Sequence, residues 1–135
     1  MKTERIRVVL DTNIILSVVS EHSPYHEVWQ ALLAGIFDLY LTTEILLEYE
    51  EKLSTNFNPA TAEITLTILS LLPNVNAQEV FFRFTIIEKD PDDDKFIDCA
   101  FACNAHFLVS NDRHYNLLKQ LGFPKINLVK LEEFI

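Results

Sequence analysis

Glycine is nearly missing from this chain of 135 residues: there are two, Gly35 and Gly122. Neither GxGxxG nor a Walker A loop can be written from two isolated glycines, so phosphate chemistry here must rest on a metal or on side chains. Cysteine is as scarce. Cys99 and Cys103 cannot supply a disulfide framework, and their spacing of four places both on one helix face. A reducing, cytoplasmic setting is the simplest expectation. Positive charge is also short: 11 Lys and Arg against 20 Asp and Glu give a net charge of −9, which argues against a broadly basic nucleic-acid surface. No apolar run reaches the ~18 residues of a membrane span, and the basic stretch Met1 to Arg7 is followed by no apolar segment of signal length. A soluble, untargeted protein with no membrane partner is expected. Hydrophobic residues make up 49% and charged residues 23% of the chain. That composition can bury a core, and the length suits a single domain over 1–135.

Arg7-Val8-Val9-Leu10-Asp11 is an apolar run closed by an acid, the pattern of a strand buried on both faces in a parallel sheet. Ser23-Pro24 predicts a cap with proline in the first helical turn, and Val28, Trp29, Leu32 and Leu33 then share a face up to Gly35. Phe37 to Leu41 reads as a second strand, followed by caps at Thr42-Thr43 and a helix from Glu44 to about Thr55. Asn58-Pro59 opens the next helix, carrying Ile64, Leu66, Ile68, Leu69 and Leu72 before Pro73. Asn74 to Ala77 is expected to be loop, and Val80 to Ile87 a strand. Asp90-Pro91 caps a helix to about Asn104, with Phe96, Ile97, Ala100, Phe101 and Cys103 inward. His106 to Ser110, a helix from Tyr115 to Leu121 closed by Gly122, a strand over Ile126 to Val129 and a short terminal turn complete the reading. Alternating strands and helices predict an α/β sandwich with a mainly parallel sheet.

Two predicted strands end in an acid, Asp11 and Asp112. In an open parallel sheet both carboxylates then meet at the carboxyl edge, where the functional crevice lies. Two helices that begin at the same edge add Glu44, Glu48 and Glu51, and Asp90, Asp92, Asp93, Asp94 and Asp98. The pairs Glu44/Glu48 and Asp94/Asp98 are spaced to stack on one helix face. Acids at a helix start favour its macrodipole, and Asp90 fits an N-cap. That reasoning does not reach Asp11, at the exit of a buried strand. Clustered carboxylates repel unless a cation sits among them, and an all-oxygen site without His or Cys ligands suits Mg2+ or Mn2+ rather than zinc. Such a site fits in-line hydrolysis of a phosphodiester. No Ser-His-Asp set or activated cysteine offers covalent catalysis instead.

Val8-Val9-Leu10-Asp11-Thr12-Asn13, Thr43-Glu44-Ile45-Leu46-Leu47-Glu48-Tyr49, Asp90-Pro91-Asp92-Asp93-Asp94-Lys95-Phe96 and Leu108-Val109-Ser110-Asn111-Asp112 together resemble the PIN-domain nucleases. The likeness covers nearly the whole chain and is closest to the toxin components of prokaryotic toxin–antitoxin systems. It implies a three-layer α/β/α sandwich, a Mg2+- or Mn2+-dependent ribonuclease site, a homodimer and a protein antitoxin. By position, the family's acidic quartet falls on Asp11, Glu48, Asp94 and Asp112, with Asn13 and Ser110 at supporting polar positions. Asp98 and Glu44 each sit one turn from a quartet member and are further candidates for a second ion. Asn111 departs from the usual Gly or basic residue, which bears on substrate contact beside the site.

Lys95, Arg113 and His114 are candidates for phosphate contact, and Arg113, Lys119 and Lys95 for a local basic path. Cys99, Cys103 and His106 read as packing rather than a metal site, Trp29, Tyr25 and Phe37 as core, and His22 and His26 as surface. Two alternatives stand beside the nuclease: a catalytically silent RNA- or partner-binding module, and an aspartate-dependent phosphohydrolase. The latter needs an acid two residues after Asp11, where the chain has Asn13.

Overall fold

The computed structural model describes residues 5–83, 94–120 and 125–134. Its centre is a five-stranded parallel sheet in the order β3-β2-β1-β4-β5, formed by β1 (Ile6–Leu10), β2 (Phe37–Leu41), β3 (Val75–Ala77), β4 (Phe107–Val109) and β5 (Leu128–Val129). β1 is the middle strand, and Val8, Val9 and Leu10 are buried on both faces, which is why that run is apolar without alternation. The order reverses between β1 and β4: the chain builds outward through β2 and β3, then returns to the other side of β1. The carboxyl ends of β1 and β4 stand at that switch point, the place where open α/β sheets generally bind ligands.

Helices cover the sheet in a three-layer α/β/α sandwich. α1 (Thr12–Val19) packs on α2 (His26–Leu33) and α3 (Thr43–Asn56), α4 (Pro59–Leu71) packs on α3, and α5 (Asp94–Ala102) lies on β1, β2 and β4. A 3-10 helix (Arg113–Gln120) and a short α6 (Leu131–Phe134) complete the fold. The core joins Val9, Leu39 and Leu108 of the sheet to Ile15, Trp29, Ile45, Leu53, Phe96 and Ile97 of the helices. Trp29 and Phe37 are buried within it and Tyr25 is packed against it.

The local signals that hold are those made by side chains bonding their own backbone. The Thr42 hydroxyl accepts from Ile45 N–H, and the Asn58 side chain accepts from Thr61 N–H with Pro59 next in line. Gly35 ends α2 in the left-handed region (φ +76°), with Gly35 N–H on Leu32 O and Ile36 N–H on Ala31 O.

Several expectations are corrected. Ser23 caps a turn rather than the helix: its hydroxyl accepts from Tyr25 N–H and its carbonyl from His26 N–H, so α2 begins after Pro24. Val75–Ala77 is an edge strand, not loop, because β2 supplies the pairing that its own propensity does not. Val80 to Arg83 is not strand, and the rest of that segment, like the Asp90-Pro91 cap and the Leu121-Gly122 helix end, lies outside the described residues. The stretch after Asp112 is a 3-10 helix, β5 is shorter than Ile126 to Val129, and the terminal turn is helical. On α4 the inward face is Ala62, Thr65 and Leu69, leaving Ile64 exposed.

Candidate active site

Asp11 stands where β1 becomes α1. Its backbone N–H continues the pairing with β4 by donating to Val109 O, and its carbonyl accepts from Ile14 and Ile15 N–H. The residue is only 4% exposed, and the Ser110 hydroxyl donates to its Oδ2 at 2.7 Å. Burial pushes the Asp11 carboxyl above its ordinary range; the bonds from Ser110 and Thr12 N–H oppose this, and the charges of Asp112 and Glu48 add to it. Asp11 thus feels two of the other acids proposed from the sequence, Glu48 and Asp112, at the switch point.

Glu48 reaches this edge from α3, with both oxygens occupied. The Thr12 hydroxyl donates to Oε2, and Lys95 Nζ lies 2.7 Å from Oε1. Next to it on α3, the buried Tyr49 hydroxyl donates to Leu10 O at 2.5 Å, tying the helix to the last residue of β1. Asp94 and Asp98 are buried on the first turns of α5. Asp112 follows β4: its N–H donates to the Ser110 hydroxyl, and its Oδ1 accepts from His114 N–H at 2.9 Å with the His114 ring 3.5 Å away. Ser110 therefore links Asp11 and Asp112 through one hydroxyl.

Glu44 sits farther out, in an exposed ion pair with Arg83 at 3.0 Å. Asn13 is exposed on α1, where its carbonyl accepts the Ser17 hydroxyl. Arg113 is exposed. Asn111 Oδ1 accepts from Leu131 N–H, which gives this departure from the family pattern a structural job. Among the described residues, no three His, Cys, Asp or Glu side chains converge tightly enough as they stand to enclose a metal ion. The donors are nonetheless hard oxygens at a site where buried negative charge is destabilised, which fits a hard divalent cation.

Beside the acids opens a cavity of about 760 Å³ lined by Thr42, Glu44, Phe81, Arg83, Lys95 and Asp98 among others. Sequence spacing missed the parts of this site made by distant contacts: Thr12, whose signal is a hydroxyl one residue after the strand-ending acid, and the wall of Phe81, Phe82 and Arg83. The residues set aside behave as packing. Cys99 and Cys103 are buried, and the neighbouring Cys103 thiol, followed by burial, holds the Cys99 thiol above its ordinary range. His106 Nδ1 accepts from Arg7 N–H. His26 is half-buried, its Nδ1 2.8 Å from Val18 O, rather than a plain surface residue.

The fold thus sets Asp11, buried and influenced by Glu48 and Asp112, at the switch point of a parallel sheet. The chain belongs to the PIN domain family, whose signature matches residues 7–114. No curated protein matches the sequence. Among solved structures, the fold is similar to that in the VapBC2 complex of Rickettsia felis bound to a DNA fragment from its promoter, with a TM-score of 0.64, 20% identity and coverage of 93% of this chain and 98% of that one. VapC20 of Mycobacterium tuberculosis, a toxin that cleaves the sarcin–ricin loop, gives 0.59 at 13% identity over 89% and 98%. The PIN domain endonuclease Utp24 gives 0.54 at 18% identity over 92% and 84%.

Proposed function

We propose that this protein is a metal-dependent endoribonuclease that hydrolyses RNA phosphodiesters, and that it is the toxin of a toxin–antitoxin pair. The observation that carries the reading is the buried Asp11 at the switch point of a PIN fold, held by Ser110 and repelled by Glu48 and Asp112. Asp11, Glu48, Asp94 and Asp112 would hold Mg2+ or Mn2+, with Asp98 as a further ligand. Bound there, such an ion supplies a lowered pKa for an attacking water and charge neutralisation at phosphorus. The chain does the positioning: Ser110 orients Asp11, Thr12 orients Glu48, and His114 N–H fixes Asp112.

Single-stranded or looped RNA is the substrate class, because its backbone is accessible to a site on an open sheet edge. The net charge of −9 opposes RNA until the acids are neutralised, so binding is weak and depends on metal. The VapBC structures similar to this one contain an antitoxin, which supports a protein partner. A homodimer and a cytoplasmic setting complete the proposal; no helix among the described residues is long and apolar enough to cross a membrane.

The test is cleavage of a mixed-sequence RNA in Mn2+, Mg2+ or EDTA by the wild type, Asp11→Asn and Asp94→Asn. Cleavage that requires metal and is lost in both variants is expected. Cleavage or tight RNA binding that persists in EDTA would refute the site.

A further inference from the structure

Among the described residues, two ion pairs reach across from other segments to α3, and they differ in kind. Arg83 and Glu44 are 75% and 55% exposed, a surface pair of little consequence. Lys95 and Glu48 are 13% and 23% exposed and 2.7 Å apart, across 47 residues of sequence. An ammonium withdrawn from water this far is held by its carboxylate, and it occupies one oxygen of a residue in the acidic quartet. The other oxygen is taken by the Thr12 hydroxyl, which orients Glu48 without competing for charge. Lys95 is also the residue that follows Asp94, so its backbone is anchored beside a second acid of the quartet.

We propose that Lys95 is the internal counter-ion of the metal-free site: its ammonium holds the place on Glu48 that a divalent ion takes, and loading the ion releases it into the adjoining cavity. The inference rests on the metal-dependent reading of the acids. Its physical basis is competition. Two cations drawn to the same carboxylate oxygen repel each other, so an ion bound at Glu48 weakens its hold on the Lys95 ammonium 2.7 Å from Oε1. The displaced ammonium has a destination, because Lys95 lines the cavity of about 760 Å³ together with Arg83 and Thr42. An RNA phosphate entering that cavity would meet a cation that was engaged with Glu48 before loading. Metal binding and substrate capture are thereby linked through one side chain, which would make RNA binding depend on the metal.

Mn2+ affinity by calorimetry separates this from a structural salt bridge. Lys95→Met and Lys95→Gln are expected to bind Mn2+ about tenfold more tightly than wild type, since the competing charge is gone. Lys95→Arg keeps the charge and should stay within about twofold of wild type, as should Lys125→Met, an exposed lysine serving as control. The KM for RNA in saturating Mn2+ should rise several-fold in Lys95→Met. Unchanged or weaker Mn2+ binding in both neutral variants, equal tightening in Lys125→Met, or no Mn2+ binding by any form would overturn the exchange. An unchanged KM would overturn release into the cavity. A wild type that cleaves no RNA while the neutral variants still bind Mn2+ more tightly would refute the nuclease and uphold the counter-ion.

Discussion

Ser110 donates its hydroxyl proton to Asp11 Oδ2 at 2.7 Å, yet Asp11 remains an acid whose pKa is raised. Desolvation outweighs the hydrogen bond, so the folded chain carries an anion it would hold more comfortably as a neutral group. The consequence for stability has a definite sign. A pKa raised by folding favours the native state where the group is protonated in both states, below its ordinary value of 3.8, and that contribution is lost as pH rises through the folded value.

Metal-free Asp11→Asn should therefore melt a few degrees above wild type at pH 7, and the gap should close on acidification toward pH 4. Adding Mn2+ should raise the melting temperature of the wild type and not of the variant. Thermal melts across pH in EDTA decide the matter. A variant less stable than wild type at neutral pH would mean that the carboxylate is held by partners stronger than its desolvation.

Tyr49 is fully buried and spends its hydroxyl on Leu10 O, the last carbonyl of β1 before Asp11. Tyr49→Phe leaves that carbonyl without its side-chain partner and should cost about 1–2 kcal/mol. In urea titration the midpoint should fall with the slope unchanged, since the surface exposed on unfolding is the same. A neutral substitution would show that the tie between α3 and β1 is made by packing alone.

Asn74 shows how much a nominal loop can hold. Buried at 2% exposure, it donates both amide protons, to Leu32 O at the end of α2 and to Phe37 O at the start of β2, while its own carbonyl accepts from Leu39 N–H. Asn74→Ala removes both donors, and Asn74→Asp replaces them with acceptors facing acceptors. Losses of about 2–3 kcal/mol for Ala, and more for Asp, are expected in denaturant unfolding. Equal stability of the two variants would exclude the donor role.

The sequence made some of this plain and hid the rest for physical reasons. β1 was legible because a central strand must be apolar on both faces, and α3 and α4 because Thr42 and Asn58 bond backbone groups three residues away. The approach of Glu48 and Asp112 to Asp11 was legible from the acids that follow strands and begin α3; their part in holding a metal belongs to the proposal. β3 was not, since its pairing belongs to β2, nor was α1, whose first residue follows an acid with no side-chain cap. The partners of Glu48 lie 36 and 47 residues away. No local period encodes such contacts; the switch point of the sheet and the docking of α5 create them.

Asn111 lies between two acceptors of the site, Ser110 and Asp112, yet its side chain works elsewhere. Its Oδ1 accepts from Leu131 N–H at 3.0 Å, capping α6, whose Phe134 packs edge-on against Phe37 and Phe107. The residue thus fastens the exit of β4 to the C-terminal helix. Asn111→Gly should lower stability by about 1 kcal/mol, the usual cost of a lost cap, and should speed amide exchange at Leu131 to Phe134. Asn111→Asp retains an acceptor and should preserve both. RNA cleavage per folded molecule should be the same in all three proteins. If Asn111→Gly instead altered cleavage while leaving stability and exchange untouched, the side chain would belong to substrate binding, the role that its departure from the family pattern first brought into question.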